Sequence, residues 1–218
     1  MLTIEQQIEL NAQRIPDKVA LISGETKVTY SELWEHCCEV AQSLQDDATF
    51  FKGKRILLSA AGNIDFVHQY FGTHIAGGIG VPIDPDTKPA RREYIEHVIS
   101  EGIPSLEMAD VLFTTGTTGA PKGVVLTHQN LAAAARNINE YIDNTEDDIE
   151  LLALPVSHSF GLGRLRCVLS KGGTIVLLGS FANVKRFFIA METNHVTGFG
   201  MVPANWQFLK RMSRDKIR

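Results

Sequence analysis

Hydrophobic and polar positions along the chain change register repeatedly between helical and strand-like spacing. An amphipathic stretch from Ile4 to Arg14 is closed by Pro16. Lys18 to Ser23 (KVALIS) forms a short apolar run, Gly24-Glu25 makes a turn, and Lys27 to Tyr30 predicts a second, hairpin-paired strand. Thr29 with Glu32 three residues on is a capping box, after which Leu33, Cys37, Val40, Ala41 and Leu44 recur at helical spacing. The pattern then becomes regular. Arg55 to Ala60 is a near-continuous apolar strand of the kind buried in parallel sheets. Asp65 to Ala76 is a helix closed by Gly77-Gly78, Ile79 to Ile83 a strand ended by Pro85, and Arg91 to Ser100 a helix. Val111 to Phe113 is a short strand running into a loop rich in glycine and threonine, expected to lie between that strand and a helix, with a long helix over Gln129 to Ile142. Strands at Leu151–Leu154, Thr174–Leu178 and Val196–Met201 alternate with helices at Phe160–Leu169 and Val184–Glu192, and Pro203 starts a last helix.

This alternation predicts an α/β fold, doubly wound, with parallel sheets flanked by helices on both faces. Gly102 and Pro104 interrupt the periodicity over Glu101 to Ala109. A soft boundary is expected there, between a first α/β subdomain (1–104) and a second (105–218) carrying the glycine-threonine loop. With 218 residues, 44% hydrophobic, the chain can bury a substantial core. Its net charge of -4 gives no general attraction for nucleic acid or anionic membrane. No apolar run approaches the roughly 20 residues needed to span a bilayer. The three cysteines, Cys37, Cys38 and Cys167, lack zinc-ligand spacing, and the N-terminus has no signal-peptide pattern. A reduced, cytoplasmic protein is the expectation.

The chemistry concentrates in Val111 to His128, VLFTTGTTGAPKGVVLTH. Gly116, Gly119 and Gly123 let backbone N–H groups turn towards an anion. Thr114, Thr115, Thr117 and Thr118 add hydroxyls suited to phosphate oxygens and to magnesium carried with them. Lys122 adds a cation that can follow phosphate charge, and Pro121 stiffens the loop beside it. The spacing excludes the P-loop of common nucleotide hydrolases: Pro121 precedes the lysine, Gly123 follows it, and Gly116 and Gly119 are too close together. Four threonines, three glycines and a lysine within the ten residues from Thr114 to Gly123 also argue against an incidental surface loop.

TTGTTGAPKG resembles the phosphate-loop signature of the adenylate-forming superfamily, which includes acyl-CoA synthetases, luciferases and the adenylation domains of peptide synthetases. Three further stretches agree: RIPDKVALIS with VTYSELWEHCCEVAQSL, GIGVPIDP, and LLALPVSHSFGLG. The resemblance implies that Thr114, Thr115, Gly116, Thr117, Thr118, Gly119 and Lys122 hold the β- and γ-phosphates of ATP. It implies a role for His158 beside the acid substrate, with Phe160, Gly161 and Gly163 shaping the pocket mouth; the plainer reading of His158 is a cap on the following helix. It further implies ATP with magnesium as cofactor, a carboxylic acid as substrate, and coenzyme A as acceptor, within fatty acid metabolism. A carrier-protein thiol is the alternative acceptor, and a non-catalytic nucleotide-binding module the alternative of another class. Lys122 and His158 are the expected catalytic residues. Relatives continue beyond the Met201-Val202-Pro203 segment into an adenine-binding loop, an aromatic-Gly-x-Thr-Glu motif, a ribose-binding Asp and a C-terminal domain with a catalytic Lys. None of these is in the present sequence, so its 218 residues read as an incomplete, inactive portion. The stretch between Ser100 and Val111 also reads as short.

No metal site is expected. His36, His68, His74, His97 and His195 are scattered without ligand spacing and read as surface or core histidines. His128 reads as a structural partner near a helix N-terminus, and Trp34 and Trp206 as packing residues.

Overall fold

The computed structural model describes residues 1–101, 105–114, 120–181 and 183–212. In chain order the elements are α1 (Ile4–Arg14), β1 (Val19–Ser23), β2 (Thr26–Thr29), α2 (Tyr30–Asp46), β3 (Arg55–Ser59), α3 (Ile64–Ala76), β4 (Ile79–Ile83), α4 (Pro89–Ser100), β5 (Met108–Phe113), β6 (Gly123–Thr127), α5 (His128–Ile142), β7 (Ile149–Leu152), α6 (Ser159–Lys171), β8 (Thr174–Leu177), α7 (Val184–Thr193), β9 (Gly198–Phe199) and α8 (Pro203–Met212). Local chemistry fixes their ends. Thr3, Thr29 and Thr127 each form reciprocal capping boxes, with Gln6, Glu32 and Asn130 respectively. Gly77 closes α3 in the left-handed region at φ 86°, as its position after Ala76 predicts.

The strands form two sheets, in the orders β2-β1-β8-β7-β9 and β3-β4-β5-β6. Pairing is parallel except at the β1–β2 and β5–β6 hairpins. Strand alternation sends neighbouring side chains into different cores. Leu152, Ile175 and Leu177 of the five-stranded sheet and Leu58, Ala109 and Leu112 of the four-stranded sheet share one core with α1, α2, α3, α5 and α6. Leu151 and Val176 face the other way, onto Phe187 of α7 and Leu209 of α8. Val81, Val111 and Phe113 face Ile95 of α4. The result is five layers: α4, the four-stranded sheet, a middle layer of helices, the five-stranded sheet, then α7 with α8. The expected helix-flanked α/β architecture is therefore present twice, sharing its middle layer.

Four expectations need correction. First, a division at residues 104/105 would run across both sheets, since β4 pairs with β5 and β1 with β8. Second, the loop after Phe113 does not lead into a helix: Gly123–Thr127 returns as β6, antiparallel to β5. Third, β3 is an edge strand whose only buried residue is Leu58, so its apolar run does not mark a central strand. Fourth, Trp34 packs against the shared core, but Trp206 is exposed. Among the described residues no helix is long and apolar enough to cross a membrane.

Candidate nucleotide and acid site

The candidate residues lie at the carboxyl ends of strands, where ligands of open α/β sheets bind. The β5–β6 hairpin closes at Thr114 and Lys122. The Thr114 N–H donates to the Lys122 carbonyl at 3.0 Å, and the Lys122 N–H donates to the Thr114 hydroxyl at 3.3 Å. Both residues are exposed. Thr115, Gly116, Thr117, Thr118 and Gly119 lie outside the described residues. The hairpin depends on Gly123, because a Cβ there would meet Val111 Cγ1 at 2.9 Å. Sequence reasoning missed Arg91 on α4, whose guanidinium donates to the Thr114 carbonyl at 3.0 Å. It adds a second cation to the Lys122 side of the loop. Two cations and a threonine hydroxyl at the root of the glycine-threonine loop are the chemistry a polyphosphate requires.

The second cluster follows β7. Pro155 to His158 lead into α6, where His158 is the N-cap residue but makes no side-chain capping hydrogen bond. The plainer role suggested for His158, capping by its side chain, is thus not realised. Gly161 is required by packing, since a Cβ there would lie 2.4 Å from the Pro155 carbonyl oxygen. A cavity of about 540 Å³ lies beside the first turns of α6, walled by Ser159, Phe160, Gly163, Arg164 and Thr197 to Gly200, with Ile138 and Ile142 of α5 and Glu150. Phe160 and Gly163 line it, while His158 and Gly161 are not among its walls. Its polar wall was not legible in sequence: Arg164 grips both carboxylate oxygens of Glu150, with Nε to Oε1 at 2.8 Å. Burial works against the Arg164 charge, and Glu150 more than offsets it, so the guanidinium pKa is raised.

The carboxyl ends of the two sheets meet. A Cβ on Gly62, just after β3, would lie 3.2 Å from the Cα of Gly179, just after β8. Deeper down, buried charges join the two clusters. Asp110 of β5 accepts from Arg166 of α6 at 2.8 Å, from the Tyr70 hydroxyl at 2.9 Å, and faces His74 Nε2 at 3.1 Å. His74 Nδ1 faces Glu5 at 2.7 Å. Burial alone would lower the His74 pKa, but Asp110 and Glu5 outweigh it and push it up to about 9. His74, expected to be one of the scattered surface or core histidines, is the centre of a network spanning α1, α3, β5 and α6. Contacts between residues 5, 74, 110 and 166 leave no periodic trace in sequence.

Comparison with known proteins bears on the fold and the family. The family model described as AMP-binding enzyme matches residues 8–101 and 98–217. Bacitracin synthase 1 of Bacillus licheniformis is 27% identical over 80% of this chain and 4% of its own length. The mitochondrial malonate–CoA ligase ACSF3 of Homo sapiens is 25% identical over 86% of this chain and 42% of its own length. The chain thus spans less than half of either relative. Among solved structures, the N-terminal subdomain of Klebsiella oxytoca NpsA, in complex with 3-hydroxybenzoyl-AMSN, superposes with a TM-score of 0.88 at 19% identity, covering 98% of this chain and 63% of that one. The o-succinylbenzoate CoA synthetase of Bacillus subtilis, in complex with an acyl-adenylate intermediate, gives a TM-score of 0.81 at 23% identity, covering 94% and 63%. The fold is that of the N-terminal portion of adenylate-forming enzymes, and the chain belongs to the AMP-binding enzyme family.

Proposed function

We propose that this chain supplies the ATP-phosphate grip and part of the acid pocket of an AMP-forming acid–thiol ligase of the acyl-CoA synthetase type. The observation that carries the reading is the TTGTTGAPKG segment, Thr114 to Gly123, rooted in a hairpin at the carboxyl end of β5 with Arg91 and Lys122 at its base. Adenylation needs a carboxylate attacking the α-phosphorus in line, while charge builds on the departing pyrophosphate. Lys122 and the threonine hydroxyls would meet that charge and hold the magnesium carried with ATP, which would supply further neutralisation there. His158, Phe160, Gly161 and Gly163 stand at the entry to α6, on the acid side. The acyl group then passes to coenzyme A.

A second reading takes a carrier-protein thiol as acceptor, supported by the similarity to bacitracin synthase 1. In either case the enzyme is placed in the cytoplasm, and residues 1–218 do not turn over alone. The test is acid-dependent ATP–pyrophosphate exchange by the whole enzyme with and without Lys122→Ala. Loss of one such charged contact should raise the barrier by about 2–4 kcal/mol while acid binding changes little. An unchanged exchange rate removes Lys122 from the mechanism. Product analysis with coenzyme A and with a phosphopantetheinyl carrier separates the two acceptors.

A further inference from the structure

Away from the hairpin and the α6 cavity, three side chains from three helices converge. Glu5 on α1, His74 on α3 and His128 at the start of α5 place their donor atoms within 4.8 Å of one another. The two imidazole rings stand edge to face at 5.2 Å between centroids. His128 Nδ1 is shielded from solvent, and its contact with Glu5 Oε2, at 3.4 Å, is longer than a good hydrogen bond. A buried ring nitrogen so weakly partnered costs free energy that a ligand recovers. We propose that Glu5, His74 and His128 bind a divalent transition metal ion, with Zn²⁺ as the matching ion.

The donor set supports this choice. Two imidazoles and one carboxylate are a recognised three-ligand set for zinc with a fourth position left to water. The supporting shell is in place as well. Metal-ligating histidines hold their second ring nitrogen on a carboxylate, which fixes ring orientation. His74 Nε2 is held in this way by Asp110 at 3.1 Å, and Asp110 is itself pinned by Arg166 and Tyr70. Gly80 leaves room for that contact: a Cβ there would press on Asp110 Oδ1 at 3.1 Å and His74 Nε2 at 3.3 Å.

An entry path is also present. The three ligands border a groove of about 670 Å³ that carries Glu9 and Glu107 on its walls, so its lining favours a cation. Binding displaces one proton. His74 Nδ1 and Glu5 Oε1, 2.7 Å apart, share it; it leaves to solvent, and both atoms turn a lone pair to the metal after opening by a few tenths of an ångström. The bound ion would tie α1 to α3 and α5, and so brace the end of β6, which runs directly into His128.

The experiment uses the metal alone. The chelator-treated protein is titrated with Co²⁺, read by visible ligand-field absorption, and then with Zn²⁺, read by calorimetry and thermal unfolding. One ion per chain is expected, with intense four-coordinate cobalt bands displaced by zinc and a zinc-dependent rise in Tm. His128→Ala and Glu5→Gln should each weaken zinc binding by about tenfold or more, the scale that even outer-shell changes reach. His128→Ala also removes the 3.4 Å contact with Glu5 Oε2 and the ring contact with His74, so the metal-free Tm of each variant is measured as well, and the zinc-dependent rise in Tm is read against it. His36→Ala is the control, since His36 and His68 form a separate ring pair 4.9 Å apart on α2 and α3. No stoichiometric binding by the unmodified protein would overturn the proposal, leaving Glu5, His74 and Asp110 as an ion-pair network only. Binding that survives His128→Ala but is lost in His36→Ala would overturn it equally.

Discussion

Gly161 and Gly163 lie two residues apart on α6 and make opposite demands. A Cβ at Gly161 would press into the Pro155 carbonyl, which is backbone and cannot rotate aside, whereas a Cβ at Gly163 would meet nothing within 4 Å. Gly161→Ala should cost about 1–3 kcal/mol, as overpacking does. Gly163→Ala should be neutral or stabilising by up to about 1 kcal/mol, because alanine restricts the unfolded chain and favours the helix. Denaturant unfolding of the two variants checks both, and equal losses would contradict the cavity placed beside Gly163. The cysteines separate in the same way. Burial pushes all three thiols up, Cys167 to about 11, but only Cys38 is partly open to solvent. Since a reagent must reach the thiol before its thiolate can react, one thiol per chain should react with a disulfide reagent in the native state, and all three, faster, after unfolding. Two or three fast-reacting thiols would show that the packing around α2 or α6 is looser than described.

Elements were the most legible level. The capping box at Thr29 and the glycine stop at Gly77 each name a helix end by a specific hydrogen-bond requirement, and both are realised. Legibility failed where a segment's character belonged to something else. Gly123 to Thr127 reads as the tail of a binding motif, and its valines are exposed, so no buried alternation announced β6. Conversely, the apolar run of β3 suggested burial that its edge position does not provide. The pairing of β5 with α6 through Asp110 and Arg166 was equally unreadable, because a lone acidic residue in a strand gives no clue to its partner. That pairing has a measurable consequence. Asp110→Asn keeps the shape but leaves the Arg166 guanidinium buried without its counter-charge, a change that typically costs about 3–5 kcal/mol. Chemical denaturation should show a loss on that scale. A loss below about 1 kcal/mol would mean that solvent already reaches Arg166.

At the scale of the whole molecule, the sequence carried the alternation of strands and helices but not their interleaving. The N-terminal hairpin β1–β2 joins a sheet otherwise built from β7, β8 and β9, so the two sheets close only after the chain has passed through both. Alternation constrains neighbours in sequence, whereas the β1–β8 pairing rests on core complementarity across the chain, which no local pattern encodes. The site inherits this layout: the phosphate-side hairpin hangs from one sheet and α6 follows a strand of the other, with Asp110–Arg166 between them. On the proposed function the chain would offer contacts for phosphates, from Lys122, Arg91 and the threonine hydroxyls, and none of these groups would recognise adenine or ribose. Calorimetry of the chain should therefore rank ATP and pyrophosphate above AMP, which lacks the β- and γ-phosphates. Affinities should be weak and should fall as salt rises, because exposed charges are screened beyond a Debye length, ~10 Å at 0.1 M ionic strength. Pyrophosphate should displace ATP, since it presents the same charged groups to the same donors. If AMP bound as tightly as ATP, or if binding were indifferent to salt, the dominant contact would be to the nucleoside, and the assignment of phosphate recognition to the Thr114–Lys122 loop would have to be abandoned.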